Sequence, residues 1–175
     1  MLIHLQMTGQ QASGNKANSG KDNLVNFGAE IPVGNFASTH APGIGIEYSR
    51  TKNRFGIVAA RSKERIDFVY GGGAAIYFGK KETVSLYAYE YPAYLFIKAT
   101  AGLLYKPGIK SVFTIAAGPA IGIYNGNTQF NLNSKLEGSY FFSGKLAITP
   151  GIVLMKEMTV ADPLIAFSLK ASFGL

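Results

Sequence analysis

The side chains that could carry out catalysis are few, and their spacing does not predict an active site. The chain has two histidines and no cysteine, which excludes disulfides and thiolate metal sites. His4 lies in the polar N-terminal segment, and His40 follows Ser38 in "NFASTHAPG". A Ser–His pair could activate a hydroxyl nucleophile, but no third orienting group follows at a recognisable spacing and no G-x-S-x-G motif is present. We therefore expect no catalysis, no metal ion and no cofactor.

Charged side chains inside apolar segments form the second group with chemical potential. Glu30, Glu47, Lys98 and Lys170 each lie in a segment dominated by apolar residues. An isolated buried charge is costly, whereas opposite charges that contact one another are tolerated. We predict that these side chains share one enclosed network, with at least one carboxylate within hydrogen-bonding distance of a lysine.

The segments that must position these charges have the alternation of β-strands. In "DPLIAFSLKASFGL" every second residue from Ile165 to Leu175 is apolar, and the residues between them are small or polar. A period of two indicates a strand with two different faces. The same alternation occurs in "LVNFGAEIPV", "GIGIEYSR", "AYLFIKATAGLLY" and "SVFTIAAGPAIGIY". Residues 1–22 are rich in Gly, Gln, Asn, Ser and Lys and predict a flexible lead-in to a single β domain over residues 23–175.

About ten segments are strand candidates, including the short "RFGIVAAR" and the tyrosine-rich "TVSLYAYEY". A membrane-spanning strand takes roughly 9 to 11 residues, so the length favours eight strands over ten. Pro92, Pro119, Pro150 and Pro163 should mark strand ends, bulges or edges, because proline donates no hydrogen bond. The fold class predicted is all-β: a closed, antiparallel, up-and-down transmembrane β-barrel in which the last strand pairs with the first.

The composition of the polar faces indicates which side of the barrel meets lipid. Only 15% of the residues are charged, against roughly 25% in soluble domains. The polar faces carry Gly, Ser and Thr with a few charges of both signs, which suits a narrow lumen better than a solvated surface. No segment approaches about 18 consecutive apolar residues, so a transmembrane helix is excluded. We predict that the apolar faces meet lipid.

The alternation, the glycine-rich hairpins, "SYFFSGKLAITPGI" and the terminal "FSLKASFGL" resemble the small outer-membrane β-barrels of Gram-negative bacteria, the OmpA-like and opacity-type class. The resemblance is one of pattern and covers roughly residues 24–175. It implies a location in the bacterial outer membrane and recognition of the last strand by the barrel-assembly machinery. The residues that match that signal are Phe167, Leu169, Phe173 and Leu175, with Leu175 in place of the usual terminal Phe. The opening "MLIHLQMTGQQASG" lacks the basic start of a signal peptide, so we expect the export signal to be missing from this sequence.

The net charge of +7 is concentrated in clusters at predicted turns. These clusters are Arg50, Lys52 and Arg54; Arg61, Lys63 and Arg65; Lys80 and Lys81; and Lys106 and Lys110. Solvated turn charge is the favoured interpretation, and contact with outer-membrane lipid or lipopolysaccharide phosphates is the alternative. A basic groove with stacking aromatic residues is not apparent, so we expect no nucleic-acid partner.

We expect an outer-membrane β-barrel with a structural or surface-interaction role and a lumen filled by side chains. Two alternatives stay open. One is a soluble, calycin-like barrel that binds a small apolar ligand, and the other is a lipid-modifying outer-membrane enzyme.

Overall fold

The computed structural model describes residues 22–51, 66–84, 87–143, 145–158 and 162–175. In chain order its elements are β1 (Asp22–Val33), α1 (Asn35–Thr39), β2 (His40–Thr51), β3 (Ile66–Gly79), β4 (Lys81–Val84), β5 (Tyr87–Glu90), β6 (Tyr94–Tyr105), β7 (Ser111–Tyr124), β8 (Asn127–Phe141), β9 (Leu146–Glu157) and β10 (Leu164–Gly174).

Eight of the described strands form a closed barrel in the order β1-β10-β9-β8-β7-β6-β3-β2. Every neighbouring pair is antiparallel, and β10 closes the barrel on β1 in a register that runs from Leu24 opposite Gly174 to Val33 opposite Ile165. The predicted fold class and the favoured strand number are therefore confirmed. The end of the barrel that holds Asp22 and Gly174 is called the terminal end, and the opposite end, which carries α1 and the β4–β5 pair, is called the hairpin end.

Two of the strand candidates are not described barrel strands. "TVSLYAYEY" contributes to the separate β4–β5 hairpin, whose strands of four residues each project beyond the barrel and are too short to span a bilayer. "RFGIVAAR" lies in residues 52–65, outside the described residues.

The segment predicted to be a loop around Ser38 contains one helical turn, α1. Gly34 precedes it with a φ of 62°, a left-handed conformation that glycine adopts without steric cost. The turn places the buried ring of Phe36 in the barrel mouth, 4.9 Å from the ring centroid of Tyr77. No helix among the described residues is long and apolar enough to cross a membrane.

Of the four prolines singled out from the sequence, two lie inside strands and not at their ends. Pro119 lies in β7, where the pairing with β6 is interrupted between Ala117 and Ala120. Pro150 lies in β9, where the pairing with β8 is interrupted between Ile148 and Gly151. Because the ladder on one side of each proline is open, no hydrogen bond is lost to its missing N–H. Next to the first gap, the side-chain amide of Asn133 donates to the carbonyls of Ala99, Gly118 and Pro119 at 3.2, 2.7 and 3.1 Å.

The outward face of every barrel strand carries large apolar side chains that are exposed. Two from each strand in chain order are Phe27 and Ile31, Ile44 and Ile46, Ile66 and Phe68, Ile97 and Leu103, Ile115 and Ile121, Leu132 and Leu136, Ile148 and Ile152, and Phe167 and Leu169. Near the terminal end this surface becomes aromatic, with Tyr48, Tyr70, Tyr105, Phe113 and Tyr140 exposed. An apolar band bordered by aromatic residues is typical of a barrel surrounded by lipid.

Candidate functional site

A network of carboxylates and ammonium groups crosses the middle of the lumen. The Nζ of Lys170 lies 2.6 Å from carboxylate oxygens of both Glu47 and Glu137. The Nζ of Lys98 lies 2.9 Å from Glu47 and 3.2 Å from Glu30. The Nζ of Lys135 lies 3.0 Å from Glu47 and 2.8 Å from Glu137. Three glutamates and three lysines thus balance in charge, and every one of these side chains is at most 6% exposed.

The four charged residues singled out from the sequence all lie in this network. Glu30 accepts hydrogen bonds from both Lys98 and the hydroxyl of Tyr77. Sequence reasoning missed Lys135 and Glu137, although they alternate with the outward Leu136 on β8 and so carried the same signal as the others. The predicted set therefore lacked one lysine and one glutamate of the network. Lys135 contacts both Glu47 and Glu137, and Glu137 is the second carboxylate that contacts Lys170.

Glycines on neighbouring strands make room for two of the glutamates. Gly73 pairs with Glu47 across β2 and β3, and a Cβ added at Gly73 would lie 2.7 Å from the Cγ of Glu47. Gly151 pairs with Glu137 across β8 and β9, with the same distance to its Cγ. The run Gly71–Gly73 is therefore part of strand β3, and its Gly73 faces a buried side chain.

Apolar clusters close the lumen on both sides of the charges. Toward the hairpin end the cluster consists of Phe36, Ala75, Tyr77, Tyr94, Phe96, Val153, Met155 and Ala166. Toward the terminal end it consists of Leu24, Val69, Leu104, Val112, Phe141 and Ala147. Beside Lys135 and Glu137 the lumen contains a cavity of about 10 Å³, roughly the space of one water molecule.

A larger cavity opens at the hairpin end, between α1, the mouths of β2, β6, β7, β8 and β9, and the start of β10. Its volume is about 370 Å³, within the range of small-molecule sites. It is lined by Asn35, Phe36, Thr39, His40, Tyr94, Tyr124, Gln129, Glu157, Asp162, Pro163 and Leu164. No sequence motif indicated this cavity, because its walls come from six separate segments of the chain.

The Ser–His pair considered from the sequence is not brought into contact. The hydroxyl of Ser38 donates to the carbonyl of Asn35 at 2.6 Å, and the hydroxyl at 2.8 Å from Nδ1 of His40 belongs to Thr39. Among the described residues, no cluster of three or more His, Asp or Glu side chains could hold a metal ion.

Two of the described basic residues from the predicted clusters lie at the terminal end. Arg50 is near the end of β2, and Lys110 lies in the turn between β6 and β7. The other members of the first two clusters lie outside the described residues: Lys52, Arg54, Arg61, Lys63 and Arg65. Lys106 is buried, with its Nζ 3.9 Å from Asp67. The two lysines at the hairpin end already have partners, because Lys80 donates to the carbonyl of Ala37 at 2.5 Å and Lys81 pairs with Glu90 at 3.2 Å.

The residues that match the assembly signal all point outward. Phe167, Leu169 and Phe173 are about half exposed on β10, and Leu175 follows the strand with 73% of its surface exposed. The backbone N–H of Leu175 still donates to the carbonyl of Asn23, so the last residue is held against the first strand.

No protein-family model and no curated protein matches the chain. Its structure is similar to the crystal structure of Ail, the attachment invasion locus protein of Yersinia pestis, with a TM-score of 0.57 and 12% identity over 89% of this chain and 99% of that chain. A structure of Ail in complex with the heparin analogue sucrose octasulfate gives a TM-score of 0.56 at 10% identity over 88% of this chain and 97% of that chain. The structure of the outer membrane protein Ail in a phospholipid bilayer nanodisc also gives 0.56, at 10% identity over 89% and 99% of the two chains. The predicted likeness to small outer-membrane β-barrels is confirmed for the fold.

Proposed function

We propose that this chain is an integral protein of the bacterial outer membrane with a structural or surface-interaction role and without catalysis. The observation that carries the proposal is the reversed polarity of the barrel. Leu169 on the outside is 53% exposed, while the neighbouring Lys170 on the inside is 1% exposed. In a soluble barrel the charged face would meet water and the apolar face would be buried. Exposing apolar side chains to water and burying charged ones both cost free energy.

The packing of side chains around the charged layer supports a structural or surface role over transport. Between the two apolar clusters the charged side chains are within hydrogen-bonding distance of one another, and the cavity beside Lys135 is about 10 Å³. An ion that crossed this layer would have to separate buried ion pairs. We therefore expect negligible conductance in a planar bilayer.

The elements outside the barrel support an interaction surface at the hairpin end. α1 and the β4–β5 hairpin both lie there, and Tyr87 and Tyr89 of the hairpin are 82% and 55% exposed. At the terminal end two of the three connections, β6–β7 and β8–β9, are short turns, as on the periplasmic side of bacterial barrels, whereas the β2–β3 connection is the longer residues 52–65. Ail has the same fold and is named for attachment, and one of its structures contains a heparin analogue. Together these observations support a hairpin end that faces the cell exterior.

We further propose outer-membrane phospholipid as the partner of the basic residues at the terminal end, because Arg50 and Lys110 lie beside the aromatic border of the apolar band. Lipopolysaccharide is less well supported, since Lys80 and Lys81 at the opposite end already have partners. The outward β10 residues Phe167, Leu169, Phe173 and Leu175 are the proposed contact for the barrel-assembly machinery.

Cysteine labelling tests both the location and the orientation, because the chain contains no cysteine. The chain is exported to the outer membrane of a Gram-negative host as either Glu82→Cys in β4 or Lys110→Cys in the β6–β7 turn. A membrane-impermeant maleimide added to intact cells should label Glu82→Cys, and it should label Lys110→Cys only after the outer membrane is permeabilised. Labelling of Lys110→Cys alone in intact cells would reverse the proposed orientation.

An alkaline wash of the membrane fraction separates the proposal from its rivals. An integral barrel stays in the pellet, whereas a soluble barrel with an apolar ligand is released. Release of the folded protein would contradict the proposed location. Turnover of phospholipid or lipid A by the purified protein, abolished in His40→Gln, would instead support the enzyme alternative.

A further inference from the structure

We propose that the hairpin-end cavity is a binding site for a small organic ammonium ion, one that carries an aromatic or other apolar group beside its charge. Nothing in the structural role described above requires such a cavity. The assignment follows from the charge, the aromatic walls and the hydrogen-bonding groups of the residues that line it.

The charged residues among the described lining of the cavity are acidic, although the chain as a whole is basic. The net charge of the protein is +7, yet the described residues that line the cavity include the carboxylates of Glu157 and Asp162 and neither lysine nor arginine. Glu157 is 8% exposed and accepts a hydrogen bond from Tyr94 at 3.4 Å. Asp162 is exposed at the rim, where one of its oxygens accepts from the Asn35 amide at 3.2 Å. Such walls attract a cation and disfavour an anion.

The aromatic rings of the lining are grouped around His40. The ring centroid of His40 lies 4.6 Å from that of Phe36, 6.1 Å from Tyr94 and 5.9 Å from Tyr124. The rings of Tyr94 and Tyr124 are 5.4 Å apart. Aromatic faces attract ammonium groups through their quadrupoles and also cover the apolar part of a ligand. The combination of rings with carboxylates is the chemistry that recognises an organic cation.

His40 contributes an aromatic wall to the cavity. Its side chain is 5% exposed, Nδ1 lies 2.8 Å from the Thr39 hydroxyl, and the ring donates a hydrogen bond to the Pro92 carbonyl. A ring nitrogen that donates to a carbonyl cannot also accept a hydrogen bond from an ammonium N–H. The N–H groups of a bound ammonium are therefore directed to the carboxylates of the lining.

The test uses the full chain folded in an uncharged detergent and three probes of similar shape, titrated by isothermal calorimetry. These are 2-phenylethylammonium, the neutral 2-phenylethanol and the anionic 3-phenylpropanoate. We expect the ammonium to bind with a dissociation constant of about 1 mM or tighter. The alcohol should bind at least about threefold more weakly, since it lacks the cation–π and carboxylate contacts. The carboxylate should show no binding up to roughly 10 mM.

Variants locate the site. Asp162→Asn keeps the shape of the rim and removes one charge, and Tyr124→Leu removes one ring, so each should weaken the ammonium about two- to fivefold. Glu82→Gln, which removes a carboxylate from the β4–β5 hairpin outside the cavity lining, is the matched control and should not change the affinity. Equal affinities for the three probes, absence of ammonium binding, or indifference to both cavity variants would each overturn the proposal.

Discussion

Glu47 is the carboxylate on which the lumen network depends most. Its oxygens lie 2.9 Å from Lys98, 3.0 Å from Lys135 and 2.6 Å from Lys170. Each of these ammonium groups is buried, so bulk water does not solvate the charge that a lost carboxylate would leave. Removal of one partner from a buried ion network leaves an uncompensated charge, which costs more than the net stability that the pair contributed.

At the residue scale we predict that Glu47→Gln lowers the free energy of unfolding by about 3 to 5 kcal/mol. The amide keeps the size of the side chain but leaves the lysines with an excess of positive charge. Urea titration of the barrel folded into lipid vesicles measures the change. Glu82→Gln, at an exposed position of the hairpin, should change the free energy by less than about 1 kcal/mol. Equal effects of the two substitutions would show that the network contributes no specific stability.

A charge-balanced double substitution provides a second control for the network. Lys135→Met with Glu137→Gln removes one charge of each sign, and the remaining Glu30, Glu47, Lys98 and Lys170 stay balanced. We expect the double variant to lose less stability than the sum of the two single variants, because each single change leaves the buried network with an excess charge of one sign. Strict additivity would contradict a coupled network.

At the scale of the element, β10 shows how one strand serves two environments. Leu169 pairs with Ala29 on β1 and Pro150 on β9 near the middle of the strand, whereas Phe173 lies close to its end. Both side chains point outward, and both are about half exposed. The cost of a charge on this face should therefore depend on its depth in the bilayer.

We predict that Leu169→Arg reduces the stability of the barrel in lipid by about 2 to 4 kcal/mol. Phe173→Arg, near the aromatic border, should cost about 1 kcal/mol or less through the charge itself. Urea titration in lipid vesicles measures the free energy of unfolding of both variants, which carry the substitution on the same strand. If the two positions tolerate arginine equally, β10 is not inserted as its outward face indicates.

At the scale of the whole molecule, pairing of the first and last strands, β1 and β10, closes the barrel. β10 pairs with β9 on one side and with β1 on the other. Its Lys170 also supplies an ammonium group to the network, 2.6 Å from each of two glutamates. The end of the chain thus contributes both to the closure of the sheet and to the charge balance of the lumen.

We predict that deletion of Lys170 to Leu175 prevents assembly and does not merely lower stability. The deletion would leave unpaired N–H and C=O groups on β1 and β9, and each such group costs several kcal/mol in lipid. A difference in gel-electrophoretic migration between the unheated and the heated protein reports whether a folded barrel forms. The control replaces Lys81–Glu90 with a two-residue Asn-Gly turn, because this hairpin lies outside the barrel. A folded product from the C-terminal deletion would mean that other strands close the barrel.

The sequence by itself determined which side chains share a face, because in a strand the direction of a side chain follows from its own position in the alternation. That local rule was enough for the outward Leu169 and the inward Glu30, Glu47, Lys98 and Lys170, and the length of a membrane-spanning strand then favoured eight strands over ten. Contacts across the lumen are different, since Lys170 bonds to Glu47 over a separation of 123 residues. Which carboxylate meets which lysine depends on strand order, register and closure, and these exist only in the folded barrel. The hairpin-end cavity and the position of Phe36 in the barrel mouth also depend on the tertiary structure. A single helical turn leaves no periodic signal in the sequence, and neither do cavity walls that come from six separate segments.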